Sequence, residues 1–223
     1  MISSILTRDI DTYASDIRAS SRLLANAKAG TLPKSAVNKY LSSIRFLLTQ
    51  TPVNLELART RATEIGATDL ARFFEQKRDE EAGHHEWAES DLAVLRAVSE
   101  PPRAESEKGN DAPLETMRAL IRETRDAIVQ NPFSYLAYIL FAEYFTVVLG
   151  PEWMAALESR CGIPAAALTA VSKHVELDKE HVLEGCREID ALVSDPALLQ
   201  PLRATLGSTM TRFSSFCEEV CDA

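Results

Sequence analysis

Long stretches of this chain repeat apolar residues at the spacing of an α-helix, with little to interrupt them. Gly contributes 8 and Pro 10 of the 223 residues, so chain breaks are few and the segments between them are long. The fold class this predicts is all-α. Breaks at Gly30 to Pro33, Thr51-Pro52, Gly66 to Asp69, Asn131-Pro132, Gly150-Pro151, Gly162 to Pro164 and Asp195-Pro196 bound about eight helices, with Pro near first turns and Asp69 and Asn131 as caps. Residues 99–113 (SEPPRAESEKGNDAP) are polar and Pro-rich and form the one long loop. That loop is expected to join two halves of a single helical domain, 1–223, because each half alone leaves an apolar face unpaired.

Three polar side chains disturb this pattern in one helix, expected over about residues 165–193. At about 100° per residue, Ala167, Val171, Val175, Val182, Gly185, Ile189 and Leu192 form its core-facing stripe. His174, Asp178 and His181 fall inside the same stripe, within an arc of about 60°. An unpaired buried carboxylate costs several kcal/mol, whereas a metal ion turns that cost into ligand bonds. A buried His/Asp hydrogen-bond network without metal is the alternative.

Two further segments supply partners. A helix expected over about 67–97 carries KRDEEAGHHEW. Its buried side is marked by Phe73, Phe74, Trp87 and Leu95, and Glu81 and His84 share that side. His85 points away, Glu80 and Glu86 are expected in solvent, and Glu80 is a possible substitute for Glu81. Lys77 and Asp91 lie near the same face. Lys77 is a candidate to bind a substrate carboxylate, with a snorkelling surface lysine as the alternative, and Asp91 to support the site. The segment YLAYILFAEYFTVVLG holds Glu143, its single carboxylate, on a face shared with Leu136, Leu140 and Val147. Such a glutamate is expected to have a raised pKa unless it meets a cation, either a metal ion or a Lys or Arg side chain.

Glu81, His84, Glu143, His174, Asp178 and His181 therefore form a candidate catalytic and metal-binding set. It uses three of the chain's 4 histidines. Mixed imidazole and carboxylate ligands suit iron or manganese, and six ligands over two ions leave positions open for dioxygen and substrate.

The motif EEAGH, a lone Glu in an apolar helix further on, and H-x3-D-x2-H later still resemble the haem-oxygenase-like diiron oxidases and oxygenases. The E-x2-H spacing resembles most the subgroup of the alkene-forming fatty-acid decarboxylase and the amino-acid lyase. The resemblance spans about residues 70–189 of the 223. It implies a helical bundle of seven to nine helices in which two Fe(II) ions use dioxygen to oxidise a C-H or N-H bond of an aliphatic acid, amino acid or amine, with C-C cleavage as one outcome. By that analogy Glu81 and His174, with Glu143 bridging, serve one iron, and His84, Asp178 and His181 the other. It also implies a possible homodimer. No histidine precedes His84, where a haem oxygenase of this fold carries its haem ligand, so no haem is expected.

The charge narrows the partners to a small-molecule substrate. With 24 basic against 33 acidic residues, the net charge of -9 repels nucleic acid and anionic membranes. The amino terminus lacks the apolar core of a secretory signal. The apolar run 135–150, about 16 residues, is shorter than the roughly 20 of a membrane span. A cytoplasmic protein is expected. Cys161, Cys186, Cys217 and Cys221 show no metal-binding spacing, and only Cys186 is expected near the site.

Competing readings stay open. A ferritin-like diiron carboxylate protein would add Glu56 to the set but gives His174 no role. A non-catalytic helical interaction protein would keep the polar stripe as a core network. Tyr135, Tyr138 and Tyr144, on the Glu143 helix, raise the self-oxidation known in the resembling family, with core packing as their simpler role.

Overall fold

The computed structural model describes residues 1–98 and 112–223. Among them are nine α-helices, α1 (Ile2–Ser20), α2 (Arg22–Ala29), α3 (Lys34–Glu64), α4 (Thr68–Glu80), α5 (His85–Val98), α6 (Glu115–Gln130), α7 (Ser134–Cys161), α8 (Thr169–Leu192) and α9 (Leu199–Cys221), with short 3-10 turns at Ala165–Ala167 and Pro196–Leu198. The described residues contain no strand. The long loop expected over 99–113 lies outside the described residues, apart from its last two positions.

The central helix is α7, packed against α8, α9, α2, α1 and α6. Over 135–150 it is apolar on nearly every side, as a helix surrounded by others must be. By length and composition it would also pass for a membrane span, but most of its apolar window is buried inside the bundle. The main apolar core draws on all nine helices, from Leu6 and Ile10 through Phe74, Leu92 and Met117 to Phe216 and Val220.

Three helix boundaries differ from those expected. α3 runs through Pro52 and α7 through Pro151, although each proline removes an N–H and crowds the preceding turn. The carbonyls near each proline find other donors: the Thr51 hydroxyl bonds Leu47 O at 3.1 Å, and Arg18 bonds Val148 O at 2.9 Å. Burial on neighbouring helices outweighs the local cost. Conversely, the helix expected over 67–97 is two helices. α4 ends at Glu80, the chain turns through 81–84, and α5 starts at His85. Gly83 takes φ 86° in that turn, a conformation that favours glycine.

Candidate metal centre

The corner between α4 and α5 faces the side of α8 that carries the polar stripe. Glu81 closes α4, its N–H bonded to Lys77 O at 3.0 Å, and the turn brings both Glu81 and His84 inward. His84 Nδ1 lies 3.1 Å from Glu81 Oε2. The His84 and His174 rings meet edge to face at 5.0 Å. One turn further along α8, Asp178 Oδ1 is 3.3 Å from His181 Nδ1, and Glu143 Oε1, reaching across from α7, is 3.8 Å from the same nitrogen.

The six predicted ligands thus converge as two groups of three. Glu81, His84 and His174 form one; Glu143, Asp178 and His181 form the other; within each, the ligand atoms lie within 4.8 Å of one another. The grouping differs from the one the resemblance implies. His84 sits with Glu81 and His174, because the turn at Gly83 swings it over the first turn of the stripe, and Glu143 sits with Asp178 and His181.

Asp91, on α5, holds the whole arrangement in place. It is fully buried and accepts Thr169 N at 2.9 Å, Ala170 N at 2.8 Å and the Thr169 hydroxyl. These are free donors of the first turn of α8, which has no side-chain cap of its own. The carbonyl of the same Ala170 then accepts from His174 Nδ1 at 2.7 Å. A carbonyl only accepts, so in the neutral ring Nδ1 carries the proton and Nε2 presents its lone pair inward.

Three buried ionisable groups of the site carry an atom with no hydrogen-bond partner: His174 Nε2, Glu143 Oε2 and Lys77 Nζ. Buried polar atoms are rarely left so, and His174 Nε2 and Glu143 Oε2, one in each donor group, are each free to ligate a cation. The donor set of nitrogen and oxygen suits iron or manganese. Burial, aided by the nearby Asp178, pushes the Glu143 carboxyl up to about 7 against the pull of Lys77. Burial also works to raise Glu81, but the bond from His84 and the charges of His174, His84 and Lys77 outweigh it and hold its pKa down. The hydrogen bond to Asp178 raises His181.

Lys77 is not a snorkelling surface residue. It is 2% exposed, with Nζ 3.2 Å from Glu143 Oε1 and 3.1 Å from Glu80 Oε2. α4 turns it into the bundle, and the two carboxylates make the burial tolerable. Burial works against its ammonium, but Glu143 and Glu80 hold its pKa above the usual value. Glu80 is exposed, pairs with Lys77 and stands 3.8 Å from His181 Nε2, while Glu81 lies with His84 and His174. Glu56 is drawn away by Arg59 and Arg78, at 2.6 Å each, so the carboxylate that a ferritin-like set requires is not at the site.

The site opens on a cavity of about 200 Å³ lined by Lys77, Glu81, Glu143, His174 and Asp178 at one end. Elsewhere its lining is mostly apolar, including Leu47, Leu55, Phe141, Val171 and Trp153. Tyr135 and Tyr138 stack at 5.4 Å on its wall, whereas Tyr144 bonds Asp11 at 2.8 Å in an exposed position. Trp87, half-buried, stacks on His84 at 4.1 Å beneath Lys173; its contact with a candidate ligand was not foreseen, because it depends on the corner at 81–84. All four cysteines are free, and Cys186 is half-buried.

Solved structures share this arrangement of helices. A domain of unknown function with a haem oxygenase-like fold from Shewanella denitrificans superposes with a TM-score of 0.83 over 97% of this chain and 90% of its own, at 17% identity. The chain has a haem-oxygenase-like fold. A TenA homolog from Pseudomonas syringae pv. tomato follows at 0.71, with 14% identity over 99% and 92%. A CADD-like protein of unknown function from Nostoc punctiforme gives 0.69, with 16% identity over 99% and 97%. No protein-family model matches the chain, and no curated protein matches it either.

Proposed function

We propose that this chain is a dioxygen-dependent, non-haem diiron oxidoreductase that oxidises a small and largely apolar organic molecule. The observation that carries this reading is the pair of three-residue donor groups, buried or half-buried, four of whose members, Glu81, Glu143, His174 and Asp178, line a mostly apolar cavity. Glu81, His84 and His174 would hold one ion, and Glu143, Asp178 and His181 the other. Ferrous ions held there would supply the redox chemistry by which dioxygen becomes an oxidant for C-H or N-H bonds.

The chain's own residues do the rest. Asp91 fixes the start of α8 and, through Ala170, the tautomer of His174. The apolar walls exclude water and orient an aliphatic acid, amino acid or amine by its hydrocarbon part. Among the described residues lining the cavity, Lys77 supplies the one ammonium. As arranged here it is engaged by Glu143 and Glu80, so it would meet a substrate carboxylate only after releasing one of them. The charge of -9 supports a small-molecule substrate over nucleic acid or membrane, and a cytoplasmic protein that forms homodimers fits the same reading.

Anaerobic titration with Fe(II) tests the proposal. Two ions per chain are expected, one for each group. His174→Ala and Asp178→Ala should each lose at least one, and dioxygen consumption should rise when Fe(II)-loaded protein meets the right acid, amino acid or amine. Unchanged iron content in both variants defeats the metal centre; no substrate-dependent uptake across those classes defeats the enzyme. One observation favours the second reading, a non-catalytic helical protein with a polar core network: Glu143 already has Lys77 as a cationic partner. That reading predicts folded protein that takes up no iron at all.

A further inference from the structure

We propose that Lys77 and a divalent cation compete for Glu143, and that metal binding drives the Lys77 ammonium across to Glu80 and Glu184 at the rim. This role rests on the metal centre proposed above. Lys77 Nζ stands 3.2 Å from Glu143 Oε1, the oxygen that lies 3.8 Å from His181 Nδ1 in the group of Glu143, Asp178 and His181. A divalent ion bound by Glu143, Asp178 and His181 would sit within a few Å of that ammonium, and like charges so close repel strongly at protein dielectric. The two cations cannot both hold Glu143 Oε1 without that repulsion, so they compete for this carboxylate.

The surroundings already hold the alternative seat. Glu80 Oε2 is 3.1 Å and Glu184 Oε2 4.0 Å from Nζ, and their side chains are 39% and 49% exposed. Lys77 itself is 2% exposed. Its Nζ makes no hydrogen bond of good geometry despite three nearby carboxylates, so charge alone holds it. A lysine carries its charge on a flexible four-carbon stem, and a small swing toward the rim keeps the ammonium paired with two carboxylates. An arginine fork in the same place would lock onto Glu143. The Lys77 ammonium thereby leaves the inner end as the metal arrives. Metal loading and the polarity of the substrate cavity are then coupled.

Two experiments test this. In Lys77→Met, Fe(II) measured anaerobically should bind at least about tenfold more tightly, about 1.4 kcal/mol, because its internal competitor is gone. Metal-depleted Lys77→Met should melt below wild type, with a wider gap between depleted and loaded melting temperatures. In the wild type, acylation of lysines read by mass spectrometry should find Lys77 protected in depleted protein and more reactive once Fe(II) is bound. That measurement stands even if the variant fails to fold. Weaker or unchanged Fe(II) binding by folded Lys77→Met, or Lys77 reactivity that Fe(II) leaves unaltered, overturns the competition while leaving the metal centre intact. Absence of Fe(II) binding to wild type and variant alike overturns both.

Discussion

Truncating Asp91 to alanine is the sharpest test of how the site is held. The carboxylate is fully buried and receives two backbone N–H groups and one hydroxyl from the first turn of α8. Removing it leaves helix-end donors buried without partners. Loss of a helix cap costs about 0.5–2 kcal/mol, and hydrogen bonds to a charged group are worth about 1.5–3 kcal/mol. Water entering the new space restores part of this, so Asp91→Ala should cost about 3 kcal/mol. For a chain of this size that corresponds to a fall of about 6–12 °C in Tm. Urea unfolding with linear extrapolation reads the loss directly. Asp91→Asn keeps the shape but turns an amide N–H2 toward backbone donors, so it should recover less than half. Because Ala170 also holds His174, both variants should bind Fe(II) more weakly. A loss below about 1 kcal/mol with unaltered Fe(II) affinity would refute the reasoning.

Three further outcomes are expected. Glu219 accepts Thr116 N at 2.9 Å and Glu115 N at 3.3 Å, capping α6 from α9. Burial acts against the charge, but these bonds and the Thr116 hydroxyl lower its pKa. Its stabilisation is therefore present above the unfolded value of about 4.3 and fades as pH falls through the lower folded value. Glu219→Ala should cost about 1 kcal/mol at neutral pH, and urea midpoints of the two proteins should converge in acid; a gap that stays constant with pH counts against this. Gly83→Ala puts a side chain at φ 86° where nothing stands within 4 Å, so the cost of about 1 kcal/mol comes from the backbone. Gly207→Ala, in open space inside α9, should instead stabilise by about 0.5–1 kcal/mol; chemical denaturation that finds the same sign for both excludes this account. Finally, Trp87 stacks on His84, while the second tryptophan, Trp153, packs on Tyr40. A transition metal on His84 should quench fluorescence through Trp87, so Trp87→Phe should abolish most of the Fe(II) response and Trp153→Phe should retain it. The reverse pattern places the metal elsewhere.

What the sequence determined by itself is what depends on local periodicity. His174, Asp178 and His181 share one face of α8 because backbone geometry alone puts positions i, i+4 and i+7 there. Glu143 stands out because a single carboxylate in the apolar run 135–150 must either meet a cation or have its pKa raised. The all-helical class follows from the same repeat. Tertiary structure decided the matters in which distant groups compete. Pro52 and Pro151 stay inside helices because burial along α3 and α7 outweighs a missing bond. The glycine in EEAGH is a legible hint of a turn, but the corner at 81–84 belongs to the tertiary packing, in which α4 and α5 both lie against α3 and α5 also against α8. The division of six ligands into two groups follows from that corner. Lys77 and Glu56 show the same principle from opposite sides. Each has a local partner three positions on, Glu80 and Arg59, but its final place depends on a partner from another helix, Glu143 for Lys77 and Arg78 for Glu56, whose arrival no local pattern records.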